Sequence, residues 1–173
     1  GDEKRYEIID ARLSVTPAPG ISHQSVSIRL TSRFFEFVTG RGLGYAFAAP
    51  TDVVLDEHNV VQPDLVFIAC AHRDRIRKAG IFGVPDLVVE IVSPSSHYRD
   101  VIEKKALYER FGIQEYWIVN PAMRIIDVLT LEDGVYRLHG EFVGDDAPAP
   151  PTSRPCCSAS TATRSATPSS ATS

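Results

Sequence analysis

The sequence predicts a mixed α/β (α+β) domain, a mixed β-sheet flanked by helices. Three observations predict it. Val26, Leu30, Phe34, Phe37 and Val38 fall on one stripe at about 100° per residue, the period of an amphipathic helix. Leu87 to Val92 (LVVEIV) is a nearly continuous apolar run, as in a strand buried on both faces. Strand-like segments come before, between and after the helical ones, an order that suits a mixed sheet.

Taken in order, Tyr6 to Val15 (YEIIDARLSV) has the apolar, β-branched content of a strand. Thr16 to Gly20 (TPAPG) is a turn cluster. Ser22 is placed to cap the following helix. The helical period runs to about Val38, with His23 on the apolar stripe and Glu36 opposite, and Gly40, Gly42 and Gly44 close it. Tyr45 to Leu55 and Val60 to Ile68 (VVQPDLVFI) read as two strands around the turn Asp56 to Asn59. A charged segment, His72 to Lys78, follows. After the apolar run, Ser93 to Ser96 break the strand, and Asp100 to Phe111 reads as a helix stopped by Gly112. Tyr116 to Val119 is a short buried strand ended by Pro121. Arg124 to Leu131 and Val135 to Leu138 read as a hairpin across Glu132-Asp133-Gly134.

This organisation predicts one domain over residues 1–146, long enough to bury a core. Hydrophobic residues are 43% and charged residues 23% of the chain, an ordinary globular balance. Residues 147–173 differ: they carry no acidic residue, no aromatic and no Leu, Ile or Val. Such a stretch cannot offset the entropy of ordering, so a disordered or non-native tail is expected. The three cysteines, Cys70, Cys156 and Cys157, show no paired C-x-x-C spacing, and an odd, sparse set predicts no disulfide framework. No apolar run approaches the roughly 18 residues that span a membrane, and no signal-peptide pattern opens the chain. The expectation is a cytoplasmic protein without a membrane partner or a small-molecule cofactor. The net charge of -4 argues against holding nucleic acid by bulk charge. A local patch would be needed. His72, Arg73, Arg75, Arg77 and Lys78 either form one or make a solvated loop.

Three residues do not fit a bland core. Glu90 sits inside LVVEIV, where a carboxylate is costly unless paired, protonated or bound to metal. An ion pair with an arginine at the strand end would also explain it. Asp64 follows Pro63 and shares a strand face with Gln62, Val66 and Ile68. Alone, it reads more readily as a solvent-facing Asp at the entry to a strand. Asp86 competes with it, but Asp86 and Glu90 lie four residues apart, about 13 Å along one strand, too far to share an ion. Lys104 falls on the inward stripe of its helix with Val101, Leu107, Tyr108 and Phe111, and so does Asp100. Snorkelling, or an Asp100–Lys104 pair, is the plainer account. Together, two carboxylates could hold one hard cation while an ammonium orients a nucleophile. Such a set is a phosphodiesterase centre. His23 and Glu7 are weaker candidates for supporting or substrate contacts.

The runs VVQPDLVFI, GVPDLVVEIVSPSS, D-x-x-x-K-x-x-x-Y (Asp100, Lys104, Tyr108) and FGIQEYWIVNP resemble the Uma-two family of the PD-(D/E)XK nuclease superfamily. The match spans about Tyr6 to Leu138, with YEIID and the SHQ that opens the helix. The resemblance implies a restriction-endonuclease-like core, commonly a homodimer, acting on DNA. It implies Mg²⁺, or Mn²⁺ in its place, held by Asp64 and Glu90 with help from the carbonyl of Ile91. It moves the superfamily lysine from the place of Val92 to Lys104 on the next helix. Gln62, Glu7, His23, Asp100 and Tyr108 are then supporting or substrate contacts. Where members have Asp-Gly, this chain has Asp10-Ala11, and in place of a short apolar end it has the Ala/Pro/Ser/Thr tail. A non-catalytic dimeric module that binds nucleic acid or a partner on the same fold is the alternative.

Overall fold

The apolar run Leu87–Ile91 is a central strand, and the other elements are layered around it. The computed structural model describes residues 4–93 and 99–144. The tail expected over 147–173, the domain limit at 146, most of the Ser93–Ser96 break and the side chain of Asp100 lie outside the described residues. The strands are β1 (Arg5–Ile9), β2 (Arg12–Thr16), β3 (Gly44–Ala48), β4 (Val53–Asp56), β5 (Asn59–Val61), β6 (Leu65–Ala69), β7 (Ile76–Arg77), β8 (Gly80–Phe82), β9 (Leu87–Ile91), β10 (Glu115–Asn120), β11 (Ile125–Glu132) and β12 (Val135–Val143). The helices are α1 (Ile21–Gly40) and α2 (Lys104–Phe111), the latter entered through a π-turn over Arg99–Glu103.

The expected mixed sheet is present, with strand order β12-β11-β10-β9-β6-β3, and a second sheet accompanies it, ordered β2-β1-β5-β4-β8-β7. Each contains a parallel pair, β9 with β10 and β4 with β8. Because strand side chains alternate, β6 and β9 feed two cores. Leu65, Phe67, Leu87, Val89 and Ile91 face Leu30, Phe34 and Val38 of α1. Val66, Ile68 and Val88 face Val53, Val61 and Ile81 of the second sheet and Leu107 and Tyr108 of α2. The central sheet is thus covered by α1 on one side and by the second sheet with α2 on the other. Burying each such side chain contributes about 1.5–3 kcal/mol, so these two faces set the sandwich.

Three expected strands are each two. YEIIDARLSV is the hairpin β1–β2, with Asp10 (φ 49°) and Ala11 (φ 60°) as its two-residue turn. That turn normally announces itself with glycine, and alanine hides it. Tyr45 to Leu55 divides into β3 and β4, and Val60 to Ile68 into β5 and β6; in each case the halves belong to different sheets. Prolines 50 and 63, which cannot donate to a ladder, mark the crossings. Helix α1 begins at Ile21 behind Gly20, with no side-chain cap, so Ser22 lies inside the helix. β3 lies tightly on β6: a Cβ on Gly44 would stand 2.1 Å from the Ile68 carbonyl oxygen. Gly112 (φ 77°) ends α2 as expected.

Candidate active site

β6 and β9 run antiparallel with Leu65 opposite Val89, so the next step brings Asp64 opposite Glu90. Both carboxylates lie at the same end of the central sheet. Asp64 and Glu90 are each 2% exposed and Lys104 3%. All three line one cavity of about 160 Å³, together with Glu7, His23, Gln62 and Ile91. The inward turn of Lys104 follows from its stripe, since Leu107 and Tyr108 on the same face are buried against the sheet.

The Lys104 ammonium donates to Glu90 Oε1 at 2.9 Å and lies 2.8 Å from Glu7 Oε1. The Tyr108 hydroxyl donates to the same Glu90 oxygen at 2.7 Å. Burial, then the charges of Glu90 and Glu7, push the Tyr108 phenol well above its usual range, so it remains a donor. Glu7 Oε1 also accepts the Gln62 backbone N–H at 2.9 Å, and the Gln62 side-chain amide donates to Asp52 Oδ1 at 2.8 Å.

Asp64 has a different set of partners. Its Oδ1 pairs with the Arg5 guanidinium at 2.6 Å, and its Oδ2 lies 3.0 Å from His23 Nε2 and accepts the Ile91 N–H at 2.8 Å. Burial pushes the Asp64 carboxyl up. The His23 hydrogen bond, the charges of Arg5 and His23 and the Ile91 N–H outweigh it and hold the group below its usual value. Among the described residues, none hydrogen-bonds the buried His23 Nδ1. Ile91 thus meets Asp64 through its backbone amide.

Asp86 is elsewhere, accepting the Ala69 N–H at 2.7 Å and pairing with His72 Nδ1 at 2.7 Å. It does not line the carboxylate cavity, in keeping with its distance from Glu90 along the chain. Sequence reasoning missed Arg5. An arginine ahead of an apparent strand carries no periodic anomaly, and only the β1 pairings deliver it to Asp64. Among the described residues no group of three His, Cys, Asp or Glu side chains is arranged to hold a metal ion.

These features have a counterpart among known proteins. A family model named Uma2 and described as "Putative restriction endonuclease" matches residues 1–159. The chain belongs to the Uma2 family. A solved structure with the same fold, "a putative nuclease belonging to DUF820 from Anabaena variabilis ATCC 29413", gives a TM-score of 0.67 at 19% identity. The likeness covers 85% of this chain and 81% of that one. No curated protein matches. The Uma2 assignment bears out the resemblance carried by VVQPDLVFI and GVPDLVVEIVSPSS. The mixed sheets with few helices agree with the fold of the neighbour. No described helix is long and apolar enough to cross a membrane.

Proposed function

We propose that this Uma2 chain is a divalent-metal-dependent endonuclease that hydrolyses DNA phosphodiester bonds, with Asp64, Glu90 and Lys104 as its centre. One observation carries the reading: Glu7, Asp64, Glu90 and Lys104, all nearly fully buried, face one cavity. Burying four ionisable groups costs several kcal/mol each before pairing, and a purely structural core has cheaper solutions.

The donor set fits a hard cation. Three carboxylates, Glu7, Asp64 and Glu90, share the cavity with Arg5, His23 and Lys104, and they supply the oxygen donors a hard cation takes. Asp64 and Glu90, with the Ile91 carbonyl, would hold Mg²⁺ or Mn²⁺. The ion would supply Lewis-acid stabilisation of the phosphoryl oxygens and a more acidic water. The chain's own groups do the positioning. Glu7 and Glu90 hold the Lys104 ammonium between them, where it orients the attacking water and offsets charge growing on the phosphate. Tyr108 fixes the Glu90 carboxylate. His23 and Arg5 hold Asp64 ionised. Water adds to phosphorus, the ester bond to the leaving sugar oxygen breaks, and the products are a phosphomonoester and an alcohol. Asp100 and Gln62 are assigned supporting roles, and the working unit is a homodimer in the cytoplasm, its stoichiometry open to measurement by sedimentation of the purified chain.

The test is cleavage of plasmid and linear DNA with Mg²⁺ or Mn²⁺. Glu90→Ala and Lys104→Ala should each lose at least a hundred-fold in rate; variants that cut as well as the parent would sink the assignment. One observation favours a second reading, a non-catalytic module. Asp64 and Glu90 already have cationic partners, Arg5 and Lys104. On that reading no divalent ion raises the melting temperature.

A further inference from the structure

The cavity is not isolated. Arg5, Pro19, His23 and Gln62 line both it and a wider groove of about 980 Å³. One wall of the groove is α1, through Gln24, Ser27, Ile28, Thr31 and Phe35, whose spacing of three and four places them on one helical stripe. The other wall is the turn Ala48–Pro50. From His23 to Phe35 the helix advances about 18 Å. Pro50 also lines the next depression along the surface, which is bordered by Arg77 and Lys78 at the tip of the β7–β8 hairpin. The track therefore runs from the buried carboxylates, along α1, to two exposed basic residues.

Its chemistry is uneven in an informative way. Lys4 and Arg5, whose guanidinium is paired with Asp64, stand at the cavity end, and Arg77 and Lys78 at the far end. Between them lie hydroxyl and amide groups and one outward aromatic, Phe35, 52% exposed. Glu36 and Asp52 are the acids on these walls, and Asp52 is engaged by the Gln62 amide. A surface with cations at its ends and an exposed ring between them matches a polyanion whose bases are unpaired. Phosphates meet the cations, and a base stacks on the ring.

We propose that this groove seats a single strand of nucleic acid, with one phosphate in the carboxylate cavity, a base on Phe35, and a flanking phosphate at Arg77 and Lys78. The proposal rests on the nuclease reading above and names the path of its substrate. Single-strandedness follows from the recess. Asp64 and Glu90 are 2% exposed at the bottom of the cavity, and a flexible strand can lead one phosphate there. A duplex, with a persistence length of about 150 base pairs, resists the bend that would be needed.

The test uses the full chain with Ca²⁺ in place of Mg²⁺, so that the carboxylates have a cation beside them and binding, not turnover, is read, and it follows the anisotropy of a fluorescent oligodeoxythymidylate. The expected result is tighter binding of this strand than of a duplex of equal length. Phe35→Ala should weaken it about ten-fold. Arg77→Glu with Lys78→Glu should weaken it and lower the slope of log K against log salt by about 0.7 for each phosphate no longer neutralised. Melting curves matching the parent show that these surface variants fold. Equal or tighter duplex binding overturns the proposal, as does unchanged affinity in both variants. A parent dimer that Phe35→Ala turns into monomers also overturns it, because the groove is then covered by a second copy. Hydrolysis of a small diester, bis(p-nitrophenyl) phosphate, with Mn²⁺ separates the two readings. If the strand binds through Phe35 and Lys78 but nothing is hydrolysed, only the catalytic reading fails. If hydrolysis proceeds and neither variant alters strand binding, only the groove fails.

Discussion

Lys104 is held by two carboxylates, and that arrangement makes the ammonium as necessary to the fold as to any chemistry. Removing it leaves Glu7 and Glu90 buried and without its charge. Lys104→Met should therefore cost about 3–5 kcal/mol in urea unfolding, the usual consequence of breaking a buried pair from one side. Loss of cleavage in that variant is meaningful only beside a folded control. Matching far-UV and near-UV circular dichroism supplies one, and Tyr108→Phe, which deletes a single hydroxyl donor to Glu90, should cost only about 1–3 kcal/mol. Asp64 makes a prediction about pH. Its native carboxyl is held below its usual value, so the unfolded chain takes up this proton first as the solution is acidified. The stabilisation is complete above the unfolded-state pKa and is lost as pH falls through the native one. Asp64→Asn should thus be less stable than the parent at neutral pH, with the gap in urea midpoints closing below about pH 5. A gap that stays constant to acid would show that the Arg5 and His23 contacts contribute no net charge stabilisation.

At the scale of elements, the clearest expectation concerns the first hairpin. Ala11 sits at φ 60° beside Asp10 at φ 49°, in a turn where a Cβ costs roughly 1–2 kcal/mol. Ala11→Gly should raise stability by about 1 kcal/mol, a melting-temperature rise of about 3 °C by calorimetry for a domain of this size. The gain would also steady Arg5 and Glu7, which β1 carries to the cavity. Gly44→Ala should do the reverse, because its Cβ would stand 2.1 Å from a backbone oxygen of β6 that cannot retreat. Elements with a strong internal period were legible. The α1 stripe, the doubly buried β9, the inward face of α2 and the Asp133-Gly134 hairpin each declare themselves within a few residues. The β1–β2 turn was hidden by alanine. The crossings at Pro50 and Pro63 were hidden because both halves of each segment are equally strand-like, and propensity does not say to which sheet a strand belongs.

For the whole molecule, binding of an ion to the native state alone must appear as stability. With Mg²⁺ at 100 times its dissociation constant the parent should gain about 2.7 kcal/mol. Glu90→Gln should lose most of that gain. Calorimetric scans with and without Mg²⁺ check it, and a parent indifferent to Mg²⁺ and Mn²⁺ would favour the paired-charge module. The sequence by itself determined the α+β class, the family, and the oddity of Glu90 and Lys104. Those properties are local: a hydrophobic period is written over ten residues, and a charge inside it is conspicuous because its burial is expensive. The tertiary structure alone decided that Asp64 would meet Arg5, 59 residues away, and His23, 41 residues away. It alone divided the strands between two sheets and joined the carboxylate cavity to a groove along α1. Such meetings depend on which faces pack together, and no periodicity along the chain records the partner of a residue that distant.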